Sequence, residues 1–115
     1  MLAQRISSIN SVTRLLENTA NCDVGEVKAI VGSDSRIGEK YLNASPGFGG
    51  SCFEKDLLSL VAILAPVDMV AARYWQSVLD MNQAQKRRLA DLVITGPVAV
   101  FGFSYKANTG DTRCC

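Results

Sequence analysis

From Leu2 to Ala20 the apolar residues Leu2, Ile6, Ile9, Val12 and Leu16 recur every three or four positions. That period predicts an amphipathic helix. No capping residue precedes it, as though the sequence enters a helix already under way. Asn21 and Cys22 interrupt the pattern. Asp23-Val-Gly-Glu26 then has the form of a capping box, opening a short helix through Val27, Ile30 and Val31 that Gly32 stops. Ser33 to Gly38 is polar and turn-like, and Asn43-Ala-Ser-Pro-Gly-Phe-Gly-Gly-Ser51 crowds glycine and proline into a loop. Ser51 is placed to cap a third helix, with Phe53, Leu57, Leu60, Val61 and Leu64 on its apolar face and Pro66 at its end. A fourth and longer helix is expected from about Asp68 to about Val93, with Val70, Tyr74, Val78 and Met81 or Asn82 on one stripe. Beyond Gly96-Pro97, Val98 to Phe101 reads as a short strand, followed by Gly102 and a polar tail. Four helices and one strand make a mainly α chain, and a lone strand cannot form a sheet. The sequence looks cut at both ends.

Composition narrows the function classes. With 115 residues, 48% of them apolar and 20% charged, the chain suits one globular core. Twelve basic side chains against 11 acidic ones leave a net charge of +1, which gives no electrostatic case for nucleic acid or an anionic membrane. The longest apolar stretch, Leu60 to Ala72, is broken by Pro66 and Asp68 and is too short to span a bilayer. No apolar signal core follows Met1, and four cysteines without a CxxC pair suit a reduced, cytoplasmic chain with no metal site. Histidine is absent, which removes Ser-His-Asp and Cys-His catalysis together with His-ligated metals.

The segment that carries chemistry is Gly47 to Asp56. A glycine loop delivers Cys52 to the first turn of a helix, where exposed amides and the positive end of the dipole favour a nucleophilic sulfur. Lys55 adds a nearby cation. Asp56, four residues on, shares the helical face of Cys52 and suits the handling of water at a covalent intermediate. The same residues also suit a buried structural cysteine beside a tight turn. The loop is not a Rossmann fingerprint, since the third glycine is missing and no strand precedes it.

The run GFGGSCFEKD closely resembles the catalytic-cysteine motif of the nucleotide-sugar dehydrogenases, the UDP-glucose/GDP-mannose dehydrogenase family. LAQRISSINS at Leu2 to Ser11, SDSRIGEKYLNAS at Ser33 to Ser45 and ARYWQSVLDMNQAQKRR at Ala72 to Arg88 support it in order. FGFSYKANTGDTR at Phe101 to Arg113 resembles the start of the family's C-terminal domain. The resemblance implies a central helical dimerisation domain over 1–94 and the first strand of a C-terminal α/β UDP-binding domain over 95–115. It also implies NAD-dependent, two-step oxidation of UDP-glucose to UDP-glucuronate in a homo-oligomer.

Residue by residue, the resemblance makes Cys52 the nucleophile that captures the aldehyde and Asp56 its helper in the water-dependent steps. It assigns Cys52, Phe53, Glu54, Lys55 and Arg113 to the cofactor. The loop Asn43, Ala44, Ser45, Pro46, Gly47, Phe48 and Gly49 would wrap the substrate through backbone amides, with Phe48 lining the pocket. Arg36 would reach the substrate of a neighbouring subunit, and Lys106 would bind substrate from the C-terminal domain. Tyr41, Tyr74 and Trp75 are expected in the core, and Lys86-Arg87-Arg88 on a solvated helix face. Four departures stand out. The family's glycine-rich dinucleotide-binding domain has no counterpart here, and its catalytic lysine and asparagine fall upstream of Met1. The stretch between Arg88 and Val98 is shorter than usual. Cys114-Cys115 replaces an acidic and a small residue. Another nucleotide-sugar dehydrogenase, or a non-catalytic dimerising fragment, are the alternative readings.

Overall fold

The computed structural model describes residues 1–93 and 96–112. Four helices follow in order: α1 (Leu2–Leu16), α2 (Val24–Ser33), α3 (Ser51–Leu64) and α4 (Met69–Val93). The spine is α4, whose 25 residues give about 37 Å of helix. It packs against both α1 and α3, while α2 touches α1.

Local chemistry explains the boundaries. The helix expected over Leu2 to Ala20 stops at Leu16, because Asn18 Nδ2 and Thr19 Oγ1 donate to the carbonyls of Arg14 and Leu15. The backbone tightens there to i→i−3 bonds, and Asn21 turns the chain at φ 57°. The Asp23 side chain caps α2, accepting from Gly25 N at 2.6 Å and Glu26 N at 3.3 Å. Asp68 does the same for α4 through Val70 N and Ala71 N. At α3 the expected cap moves by one: Gly50, at φ 84°, is the N-cap, and Ser51 is the first helical residue with no side-chain cap bond. Only a residue without a Cβ takes that backbone angle cheaply.

The core joins α1, the glycine loop, α3 and α4. Ala3 of α1, Phe48 of the loop, Leu57 of α3, and Val78 and Leu79 of α4 form one buried cluster, with Ile6, Phe53, Val61 and Trp75 packed against it. Ser7 Oγ, also buried, donates to the Val78 carbonyl at 2.9 Å and pins α1 onto α4. The α4 stripe differs from the sequence expectation. Val70 and Tyr74 are exposed, and the buried positions are Ala72, Val78, Leu79, Asn82 and Gln85. Tyr74 instead meets Trp75 edge-on at 5.1 Å, and Tyr41 is exposed.

No strand occurs among the described residues, which corrects the β reading of Val98 to Phe101. Val98, Val100 and Phe101 lie exposed, with no strand partner among the described residues to share a hydrogen-bond ladder. The described residues are all-helical where they are regular.

Candidate active site

The glycine loop is not a slack linker. Asn10 Oδ1, from α1, accepts from Ser45 N at 3.0 Å. From α4, Gln85 Nε2 donates to the Ser45 carbonyl at 3.2 Å. Asn82, also on α4, closes a two-point clamp on one residue: its Oδ1 accepts from Phe48 N at 2.8 Å and its Nδ2 donates to Phe48 O at 3.1 Å. The Phe48 ring turns into the core and meets Phe53 edge-to-face at 6.0 Å. Two loop amides expected to face a ligand, at Ser45 and Phe48, are therefore engaged inside the chain.

The loop ends on α3 with Cys52 in the first turn. Its thiol is free and exposed, so the alternative of a buried structural cysteine does not hold. Cys52 borders a narrow cleft of about 110 Å³ shared with Gly49, Gly50, Phe53, Tyr105 and Asp111. The tail makes one wall of this cleft: Tyr105 N donates to Asp111 O at 3.2 Å, and the Tyr105 ring lies over Gly50. A Cβ at Gly50 would come within 3.2 Å of that ring. Asp56 is exposed one turn further on, but it borders a different cleft with Leu2, Phe53, Leu60 and Trp75. Cys52 and Asp56 share a helix without sharing a cavity.

A larger cavity of about 700 Å³ opens on the other side of the loop, between Ser45 to Gly49 and the tail residues Val100 and Gly102 to Tyr105. Lys86 is the cation on its wall. Sequence alone puts Lys86 on a solvated helix face. Its stem instead lies against Gly47, and only Arg87 of the three basic residues is fully exposed, since Arg88 pairs with Glu17. Lys106, the lysine expected there, is exposed and stands outside the cavity with its ammonium 5.6 Å from the Tyr105 ring centroid.

The other assigned residues scatter. Asn43, Ala44 and Pro46 are exposed, and Ser45, Gly47 and Gly49 half-buried. Glu54 accepts from Gln83 Nε2 at 3.4 Å, while Lys55 points to solvent. Arg36 is exposed in the turn after α2, where its guanidinium engages Asp34 at 2.6 Å. That side-chain bond, helped by the Arg36 backbone N–H, lowers the Asp34 pKa below the usual carboxylate value and raises that of Arg36. Arg5 holds the same turn against α1 by donating to the carbonyls of Ile37 and Gly38. Arg113 lies outside the described residues. No group of three or more Cys, Asp or Glu side chains able to hold a metal occurs among the described residues.

Sequence reasoning missed Asn10, Gln85 and Tyr105, and placed Asn82 only by its spacing. Polar residues at helical spacing look like surface, and nothing local marks them as buried.

The comparisons meet this geometry over most of its length. Residues 1–84, which hold α1 to α3, the clamped loop and most of α4, match the sequence profile described as the UDP-glucose/GDP-mannose dehydrogenase family, central domain. The chain belongs to that family. It is 51% identical over 121 aligned positions to UDP-glucose 6-dehydrogenase of Drosophila melanogaster, covering 97% of this chain and 25% of the relative. UDP-glucose 6-dehydrogenase of Gallus gallus is 50% identical with 97% and 24% covered, and that of Caenorhabditis elegans 50% with 97% and 25%. The chain thus spans about a quarter of the length of the curated relatives it matches.

Proposed function

We propose that this chain carries the cysteine half of an NAD-dependent UDP-glucose 6-dehydrogenase site. The observation that carries the reading is Cys52: a free, exposed thiol in the first turn of α3, directly after a loop whose backbone is fixed from two helices. Residues 1–94 serve as the helical domain and 95–115 as the beginning of a nucleotide-binding domain.

In this reading the C6 alcohol of UDP-glucose is first oxidised to an aldehyde. The Cys52 sulfur then adds to the aldehyde carbon, and its proton goes to the oxygen, giving a thiohemiacetal. A second oxidation turns that adduct into a thioester. Water, oriented with help from Asp56, cleaves the C–S bond and leaves a carboxylate and the restored thiol. A bound NAD would supply the hydride acceptor for the two oxidations. The first turn of α3 fits such an anionic cofactor, because its amide end carries no side-chain cap. The reducing cytoplasm keeps Cys52 a thiol. No described helix is long and apolar enough to cross a membrane.

The test of this reading is capture of a ready-made aldehyde. The C6 aldehyde of UDP-glucose, labelled with carbon-13 at C6, should give a thiohemiacetal resonance with the chain and none with Cys52→Ala. A resonance that survives the substitution, or none at all, overturns the reading.

A second copy of the chain is the expected partner. Leu15, Ile30, Ile63 and Val70 on the helices and Val67 in the α3–α4 turn are exposed, an excess of apolar surface for a solitary small chain. Sedimentation equilibrium should find dimers at high micromolar concentration. A stable monomer there would refute self-association.

A further inference from the structure

Asn10, Asn82 and Gln85 are 1%, 2% and 4% exposed, which makes them among the most buried residues described. Three primary amides inside a small core are a poor choice for stability. Each must give up water, and a neutral hydrogen bond returns little net gain. Here the return is incomplete as well: Asn10 Nδ2 and Gln85 Oε1 are buried without a partner. What the three amides do achieve is geometric. Together they hold both polar backbone groups of Ser45 and both of Phe48.

The loop is cut to match. Gly47 sits between the two held residues at φ +135°, and a Cβ there would lie 2.4 Å from Asn82 Oδ1. Asn82 therefore reaches the Phe48 backbone only because residue 47 has no side chain. The next residues of α4 extend the same contact: Gln83 reaches Glu54 in the first turn of α3, and Lys86 lines the cavity beside the loop. One polar turn of α4 thus touches the loop, the cavity and the cysteine helix.

We infer that Asn82 and Gln85, with Asn10 opposite, are positioning residues that set the backbone of the 45–49 loop for the nucleotide sugar. The inference rests on the proposed reading of that loop as the substrate loop. Asn82 acts through Phe48 and Gly47 and touches no reacting atom.

The test uses the 115-residue chain, with amide exchange followed by NMR, UDP-glucose titration, and Cys52 alkylation by iodoacetamide. Loss of two hydrogen bonds in Asn82→Ala should speed exchange at the Phe48 amide and weaken UDP-glucose binding, each about tenfold. Cys52 alkylation should stay within about twofold, because the first turn of α3 is built by Gly50 and not by the clamp. Gln85→Met, which keeps length and loses the donor, should speed exchange at residues around Ser45 and weaken binding less. This second variant decides the matter should Asn82→Ala fail to fold. Gly47→Ala should cost less affinity in the Asn82→Ala background than alone, since the clashing oxygen is gone.

Faster Phe48 exchange with unchanged UDP-glucose affinity would overturn the inference, leaving the clamp a purely structural device. Strictly additive Gly47 and Asn82 losses would overturn it too. If UDP-glucose leaves the spectrum of the unaltered chain undisturbed, the substrate-loop reading itself fails and takes this inference with it. The exchange data still report the clamp separately.

Discussion

Phe48→Ala should cost about 3–5 kcal/mol of stability, the usual penalty for deleting a buried aromatic ring. Phe48 is 4% exposed and is the one loop residue among those described in the central cluster, which it shares with Ala3, Leu57, Val78 and Leu79 from three helices. Removing its ring empties the point where α1, α3 and α4 converge, and the edge-to-face contact with Phe53 goes with it. The cavity cannot refill from the loop, because Asn82 holds the residue 48 backbone through N–H and carbonyl whatever its side chain. Domains of this size have total stabilities of about 5–15 kcal/mol, so the loss leaves a marginal fold or none. Urea unfolding followed by circular dichroism measures it. Phe101→Ala is the control: that ring is 98% exposed, and its loss should shift stability by no more than about 0.5 kcal/mol. Similar losses for both variants would show that Phe48 does not anchor the core.

The 115 residues alone should give no detectable NADH from UDP-glucose and NAD. Hydride transfer needs the nicotinamide held against C6 of the sugar, and orientation of that kind supplies about 7–11 kcal/mol of an enzyme's advantage. No glycine-rich strand-to-helix fingerprint occurs in these residues, so the chain offers the cofactor one helix end and no cradle. In the proposed reading, the lysine and asparagine that the resemblance implies beside the reacting oxygen at the first oxidation have no counterpart in these 115 residues. Cys52 enters only after an aldehyde exists and cannot replace that step. Absorbance at the NADH band checks this, with Cys52→Ala as control. Turnover that vanishes in the variant would mean that these residues hold more of the redox machinery than their geometry offers.

The helices were readable because apolar residues recur every three or four positions between turn residues, and the Asp23 cap opens α2 as expected. Asp68, expected only near the start of α4, caps it as well. Cys52 at a helix entry was readable from Gly49-Gly50 ahead of it. The α4 stripe was misread at its N-terminal end, because Val70 and Tyr74 carry the right period where no helix covers them. Further along, the buried stripe continues through Asn82 and Gln85, which apolar spacing cannot detect. The tail was misread for a different reason. Val98 to Phe101 has strand propensity, but a strand is a property of two segments, and the described residues offer no second one. Lys86 and Lys106 exchanged expectations in the same way: which lysine borders the cavity depends on how α4 meets Gly47, and that contact is set by residues 39 positions apart in sequence.

The most direct measurement compares capture of two C6 aldehydes by Cys52, one carried on UDP-glucose and one on free glucose. If the held loop presents a nucleotide sugar to the thiol, the UDP-linked aldehyde should form the Cys52 adduct at about tenfold lower concentration or better, about 1.4 kcal/mol of added binding. Excess UDP should erase the difference. Equal capture of both aldehydes, unaffected by UDP, would show an exposed thiol with no nucleotide-sugar site beside it.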